Sequence, residues 1–172
     1  GYEDFSNRMK ILKFNKGEYI YSPSLKTNYI YEVLNGAIKV GSYSIDGEET
    51  PCDIIALGDI FGNLDYLDGP HFNEFTKAIT SCTVIAYPTK LFKKIITLDK
   101  DAAEWYQKNS IRRWCRLEAR LYVICSEKAK VRIEYLKKQL NFEVTDNEGN
   151  KTNVFESILQ MDKASLVGLS RQ

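Results

Sequence analysis

The sequence predicts an α+β chain: an antiparallel β-rich block, one long helix, and a C-terminal segment that opens a helix-turn-helix. Three observations predict it. Between residues 9 and 87, short apolar or alternating runs are broken by turn residues about every ten positions, the rhythm of an antiparallel sandwich, roll or barrel rather than a parallel sheet. From Asp99 to Lys128 there is neither Gly nor Pro, and apolar residues recur with helical period. From Gln160 a helix pattern runs to Gly168, with Ser170 just beyond; a helix, a Gly-containing turn and a capping Ser are what a helix-turn-helix needs.

Taken in order, the expected strands are Lys10 to Phe14, Glu18 to Tyr21, Tyr29 to Leu34, Ala37 to Ile45, Glu49 to Leu57, Phe75 to Thr80 and Thr83 to Tyr87. Asn15-Lys16-Gly17 follows the first. Asn35-Gly36 and Asp46-Gly47 supply the positive φ that tight hairpins use, so each is expected to join two paired strands. Pro88 marks a change of period. Pro88 to Leu98 reads as a short helix with Pro in its first turn, Asp99 to Lys128 as the long helix, and Ala129 to Leu140 as another. Asn141 to Phe155 reads as a hairpin about Asn147 to Asn150.

On the long helix, Ile111, Trp114, Leu117, Leu121 and Ile124 follow one another at spacings of 3, 3, 4 and 3, which sets them on one narrow stripe. A narrow stripe flanked by arginines fits the seam of a two-helix coiled coil, that is, a homodimer; packing on the helix's own domain is the other reading. Residues 108–138 hold ten basic residues, among them Arg112, Arg113, Arg116 and Arg120, against Glu118, Glu127 and Glu134. A solvated helix face and a nucleic-acid-facing half both account for such a run.

Composition sets the outer limits. With 172 residues, 44% of them hydrophobic and 27% charged, the chain can bury a core and is not of disordered type. No apolar run approaches the roughly 20 residues that span a bilayer, and the charged start carries no signal-peptide pattern, so no membrane partner and a cytoplasmic location are expected. The four cysteines, Cys52, Cys82, Cys115 and Cys125, form no C-x-x-C pair, and His71 is the one histidine. They are expected to be reduced and mostly buried, with no metal and no cofactor. No Ser-His-Asp grouping or Gly-rich phosphate loop is visible, and one histidine does not make a cupin-type metal cluster, so no catalytic residues and no enzyme are expected.

Several strings together resemble the Crp–Fnr superfamily of bacterial transcription regulators: Lys16-Gly17-Glu18, Tyr29 to Gly36 (YIYEVLNG), Gly58-Asp59-Ile60-Phe61-Gly62, and Asp162 to Arg171 (DKASLVGLSR). The resemblance spans essentially the whole chain. It implies a jelly-roll sensor domain of cyclic-nucleotide-binding type over residues 1–98, a dimerisation helix over 99–128, and the N-terminal part of a winged helix-turn-helix over 129–172. It also implies that Ser170, Arg171 and Gln172 open the recognition helix, where Arg can read guanine and Ser can hold a phosphate of double-stranded DNA. Leu159 falls near where the family usually has a Ser or Thr cap, so that helix start is expected to be displaced. The chain stops at Gln172, before a recognition helix is complete, and the 172 residues alone are not expected to bind an operator.

Cyclic-nucleotide-binding members carry a Gly-Glu-Leu stretch and, about ten residues later, an Arg-Ser or Arg-Thr pair. Here the first is Gly62-Asn63-Leu64, the second falls near His71, Phe72 and Asn73, and no arginine lies between Gly41 and Tyr106. These six positions mark the expected effector pocket, retained in shape but without its phosphate chemistry. The resulting expectation is a dimeric DNA-binding regulator whose effector is unidentified and is not cyclic AMP. The alternative is a cyclic-nucleotide-binding regulatory module without DNA binding.

Overall fold

The computed structural model describes residues 8–25, 28–64 and 73–169. Among these residues eight strands come first: β1 (Lys10–Phe14), β2 (Tyr19–Tyr21), β3 (Tyr29–Asn35), β4 (Ile38–Tyr43), β5 (Glu49–Ile55), β6 (Ile60–Phe61), β7 (Phe75–Ala78) and β8 (Cys82–Pro88). They form two four-stranded sheets, ordered β1-β8-β3-β6 and β2-β7-β4-β5, and every pairing within them is antiparallel. This is the expected jelly roll. Alternating residues of both sheets point inward, so Val33, Ile38, Val40, Ile55 and Val84 meet in a core with no solvent exposure.

The two Gly turns behave differently. Asp46-Gly47 closes a true hairpin, with β4 paired to β5 and Gly47 at φ 80°. Asn35-Gly36 does not: β3 pairs with β6 and β8, whereas β4 pairs with β5 and β7. The turn carries the chain from one sheet to the other. Gly36 is needed there for two reasons: its φ is 76°, and a Cβ would lie 2.5 Å from the Ser81 carbonyl oxygen. Strand β6 lies within Gly58-Asp59-Ile60-Phe61-Gly62 and adds a strand to those expected from the apolar runs.

Among the described residues five helices follow or interleave: α1 (Thr89–Leu98), α2 (Lys100–Ser126), α3 (Ala129–Leu140), α4 (Val154–Ser157) and α5 (Gln160–Leu166), with hairpin strands β9 (Glu143–Thr145) and β10 (Lys151–Asn153) after α3. Asp99 caps α2 by accepting the Ala102 N–H at 2.9 Å. The expected hairpin over 141–155 gives up its last residues to α4, whose cap is Asn153, accepting from the Glu156 N–H at 3.2 Å. Helix α5 starts at Gln160 with Leu159 at the cap and no side-chain bond there; its fourth residue, Lys163, donates to the Leu159 carbonyl at 3.0 Å. The missing polar cap therefore does not shift the start. Gly168 takes φ 64° just past the helix end, as expected of a C-terminal glycine.

The C-terminal elements are packed onto the β-roll. Ala37, Ile54, Ala56 and Ile79 of the roll share one core cluster with Leu136, Leu140, Val154, Phe155, Leu166 and Val167. Polar contacts reinforce it. Lys39 Nζ lies 2.8 Å from Glu49 and 3.0 Å from Asp162 of α5. The Gly36 N–H donates to the Thr145 carbonyl at 2.9 Å, and Asn147 donates to the Cys82 carbonyl at 2.9 Å. Of the cysteines, Cys82 is buried but Cys52, Cys115 and Cys125 are exposed, which corrects the expectation that most would be buried.

Candidate functional site

Helix α2 lies against the roll on an unexpected face. Arg113, Arg116 and Arg120, at spacings of 3 and 4, point into the protein rather than to solvent. Their common partner is Asp53 on β5, whose side chain is 1% exposed. Asp53 Oδ2 accepts from Arg113 Nε at 2.9 Å and from Arg116 Nη2 at 3.3 Å, and its Oδ1 lies 3.5 Å from Arg120 Nη2. Arg116 Nη1 also reaches Asp59 Oδ2 at 3.3 Å. Arg120 donates to the Cys52 carbonyl as well. One turn earlier, buried Asn109 donates to the Gly58 carbonyl at 2.5 Å and accepts from the Ile60 N–H at 3.2 Å. Thus the basic run is neither a solvated face nor free for nucleic acid at these three positions; it fastens the long helix to the β5–β6 connection. Burial pushes the Arg120 guanidinium down, against the pull of Asp53. For Arg113 burial also works against the charge, but Asp53 and Glu74 outweigh it and the net direction is up.

With the arginines turned inward, the apolar stripe faces out. Ile111, Trp114 and Leu121 are 57%, 67% and 56% exposed; Leu117 and Ile124 are half-buried. Tyr122 and Trp105 are exposed beside them. Ile124 sits near the α5 end, where a Cβ on Gly168 would come within 3.1 Å of its Cγ2.

A pocket of about 360 Å³ lies between α2 and the roll. Ile30, Ile60, Phe61 and Gly62 form one wall, Glu74 stands just before β7, and Tyr106, Ser110, Arg113, Trp114 and Leu117 form the helix wall. Behind Phe61, its ring stacks on Tyr31 (5.2 Å) and Tyr21 (6.0 Å). Tyr21 in turn donates its hydroxyl to Glu74. Burial raises the Glu74 carboxyl above its ordinary range, against the Tyr21 hydrogen bond and the Arg113 charge.

Of the six pocket positions read from sequence, Gly62 lines it, at φ 113°. Leu64 is elsewhere, buried with Ile30, Ile60, Tyr87 and Phe92. Asn63 is half-buried and not in the wall, and Asn73 uses its carbonyl to accept from Ser42 at 2.6 Å. His71 and Phe72 lie outside the described residues, as do Ser170, Arg171 and Gln172. Lys77, on β7, pairs with Glu49 at 2.8 Å and lies over the Tyr19 ring. What sequence reasoning missed is Arg113 and Glu74. The pocket's cation comes from the helix, not from the roll, and the signal was available in the 3 and 4 spacing of the arginine row. Among the described residues, no group of three or more His, Cys, Asp and Glu is placed to hold a metal, and no helix is long and apolar enough to cross a membrane.

Residues 11–99 match the family described as cyclic nucleotide-binding domain. Over 168 residues the chain is 23% identical to a CRP-like cAMP-activated global transcriptional regulator of Mycobacterium tuberculosis, covering 97% of this chain and 75% of that protein. The fold is similar to FixK2 from Bradyrhizobium japonicum (TM-score 0.71, 18% identity, 94% of this chain and 78% of that one). It is similar also to the c-di-GMP responsive global regulator CLP of Xanthomonas campestris (TM-score 0.71, 14% identity, 99% and 84%). With its two-sheet roll, its long helix and this match over the roll, the chain belongs to the cyclic nucleotide-binding domain family.

Proposed function

We propose that this chain is the sensing and dimerising part of a transcription regulator, in which a small effector other than a cyclic nucleotide occupies the pocket and sets the geometry of two DNA-reading helices. The observation that carries this reading is the sharing of residues. Trp114 and Leu117 belong to the pocket wall and to the outward stripe of α2 at once. An occupant of the pocket therefore touches the stripe on which a second copy would pack, and a small tilt there is passed to whatever follows the helix. Domain limits of 1–98, 99–128 and 129–172 fit this division of labour, with α5 and the Gly168 turn as the first half of the helix-turn-helix. Three features speak against cyclic nucleotides. No arginine lies between Gly41 and Tyr106, Glu74 would oppose a phosphate, and Asn63 replaces the ribose-binding carboxylate of the family pattern.

The test is selection of DNA fragments by the full-length protein. Enrichment of a two-fold palindrome with half-sites about 34 Å apart supports the regulator. A pool unchanged from its input removes it and leaves the regulatory module without DNA binding.

A further inference from the structure

The pocket holds two opposite charges that do not meet. Arg113 uses its Nε on Asp53. Its two terminal amino groups have no hydrogen-bond partner among the described residues, although the side chain forms part of the wall. Glu74 accepts the Tyr21 hydroxyl on Oε1. No ion pair joins Arg113 and Glu74, yet the two feel each other's charge across the cavity. The surfaces between them are apolar or aromatic: Phe61, Trp114 and Leu117.

A monoanion satisfies only the guanidinium and sets its charge against Glu74; a monocation does the reverse. A molecule carrying both charges satisfies both walls. A guanidinium takes a carboxylate through two parallel N–H bonds, and a carboxylate pairs with an ammonium more strongly where water is partly excluded. The volume, about 360 Å³, is at the low end of small-molecule sites, roughly 300–1,000 Å³, and suits a metabolite of amino-acid size. We propose that the pocket takes an amino-acid-like zwitterion, its carboxylate on the terminal amino groups of Arg113, its ammonium at Glu74, and its apolar side chain against Trp114 and Leu117. This rests on the reading of the pocket as an effector site and names the ligand class for it.

Calorimetry on the whole chain tests the proposal, with L-phenylalanine, L-leucine, 3-phenylpropionate, phenethylamine and benzyl alcohol, each to about 1 mM, where binding is worth about −4 kcal/mol. At least one amino acid is expected to bind. The acid and the amine, each lacking one charge, are expected to bind L-phenylalanine's site at least tenfold more weakly, because a polar wall is then left unpaired. Glu74→Gln should weaken the amino acid at least tenfold and strengthen 3-phenylpropionate, whose charge Glu74 no longer opposes. Arg113→Lys, which keeps a charge for Asp53 but loses the fork, should weaken the amino acid and spare phenethylamine. Ser110→Trp, which fills the helix wall, should abolish every signal. If 3-phenylpropionate or phenethylamine binds as tightly as the amino acids, the zwitterion is wrong. If amino-acid binding survives Ser110→Trp, its place is wrong. If no amino acid binds but benzyl alcohol gives heat that Ser110→Trp removes, the ligand class fails and the effector pocket stands. Silence from every probe removes both.

Discussion

Arg113 Nε donates to Asp53 Oδ2 at 2.9 Å across 60 residues of sequence, and this bond decides which face of α2 meets the roll. An amphipathic helix ordinarily buries its apolar stripe. Here the buried face is the arginine row, because the opposing surface offers Asp53 and Asp59 and not an apolar groove. The apolar stripe is thereby left on the outside.

The ion network predicts a steep cost for losing its centre. Asp53→Ala leaves Arg113 and Arg120, with side chains 19% and 4% exposed, without their shared counter-charge. Breaking a buried pair this way costs about 3–5 kcal/mol, read as a fall in the urea midpoint. Glu118→Ala, on the exposed face of the same helix, is expected to stay within about 0.5 kcal/mol of the parent. Similar losses for the two would show that Asp53 is not the anchor.

A second prediction concerns acid. Glu49 is held at about 2: burial opposes its charge, but Lys39, Lys77 and Tyr19 all bond to it and outweigh burial. Its pKa is depressed on folding, so its contribution is fully present above its ordinary value of 4.5, and is lost as pH falls toward about 2. Melting temperature should therefore decline below about pH 4.5, and the decline should be shallower in Glu49→Gln. An identical slope in both proteins would contradict the assignment.

The two Gly turns give a third. Gly47→Ala meets open space and bears only the left-handed strain, about 1–2 kcal/mol. Gly36→Ala bears the same strain and drives a Cβ to 2.5 Å from the Ser81 oxygen and 2.6 Å from Cys82 Cβ. Its loss of stability should be clearly larger, by denaturant titration. Equal losses would mean that the sheets separate freely at that crossing.

Thiol chemistry gives a fourth. Cys82 has no solvent exposure, and burial pushes its thiol up to about 12, with Glu18 adding to the shift. It should resist a thiol reagent at pH 8 until denaturant is added, whereas Cys115 on the exposed helix reacts in the native protein. Prompt labelling of Cys82 in the folded chain would be incompatible with this core.

What the sequence made legible was local. Strand β1, helix α3 and the Asp46-Gly47 hairpin depend on neighbours a few residues away, and they lie where the pattern put them. Asn35-Gly36 was misread because its glycine answers to Ser81 and Cys82, more than 40 residues distant, and not to a partner strand. The pocket suffered in the same way. Its glycine, Gly62, belonged to a motif, but Arg113 and Glu74 come together only when α2 docks, and docking depends on Asp53. Periodicity shows that a helix has two faces; which face is buried depends on the surface it meets. An arginine row at spacings of 3 and 4 beside an apolar stripe leaves that question open until the acidic partner is placed.

The most direct test of the account is the mass of the chain in solution. If the outward stripe of α2 is the seam, sedimentation at tens of micromolar should give a dimer, and the pair Ile111→Glu and Leu121→Glu should give a monomer with unchanged helix content. Like charges set facing one another along a seam disfavour pairing, while both positions are already more than half exposed in the single chain, so its own fold loses little. A parent chain that sediments as a monomer, or a double variant that remains a dimer, would contradict it.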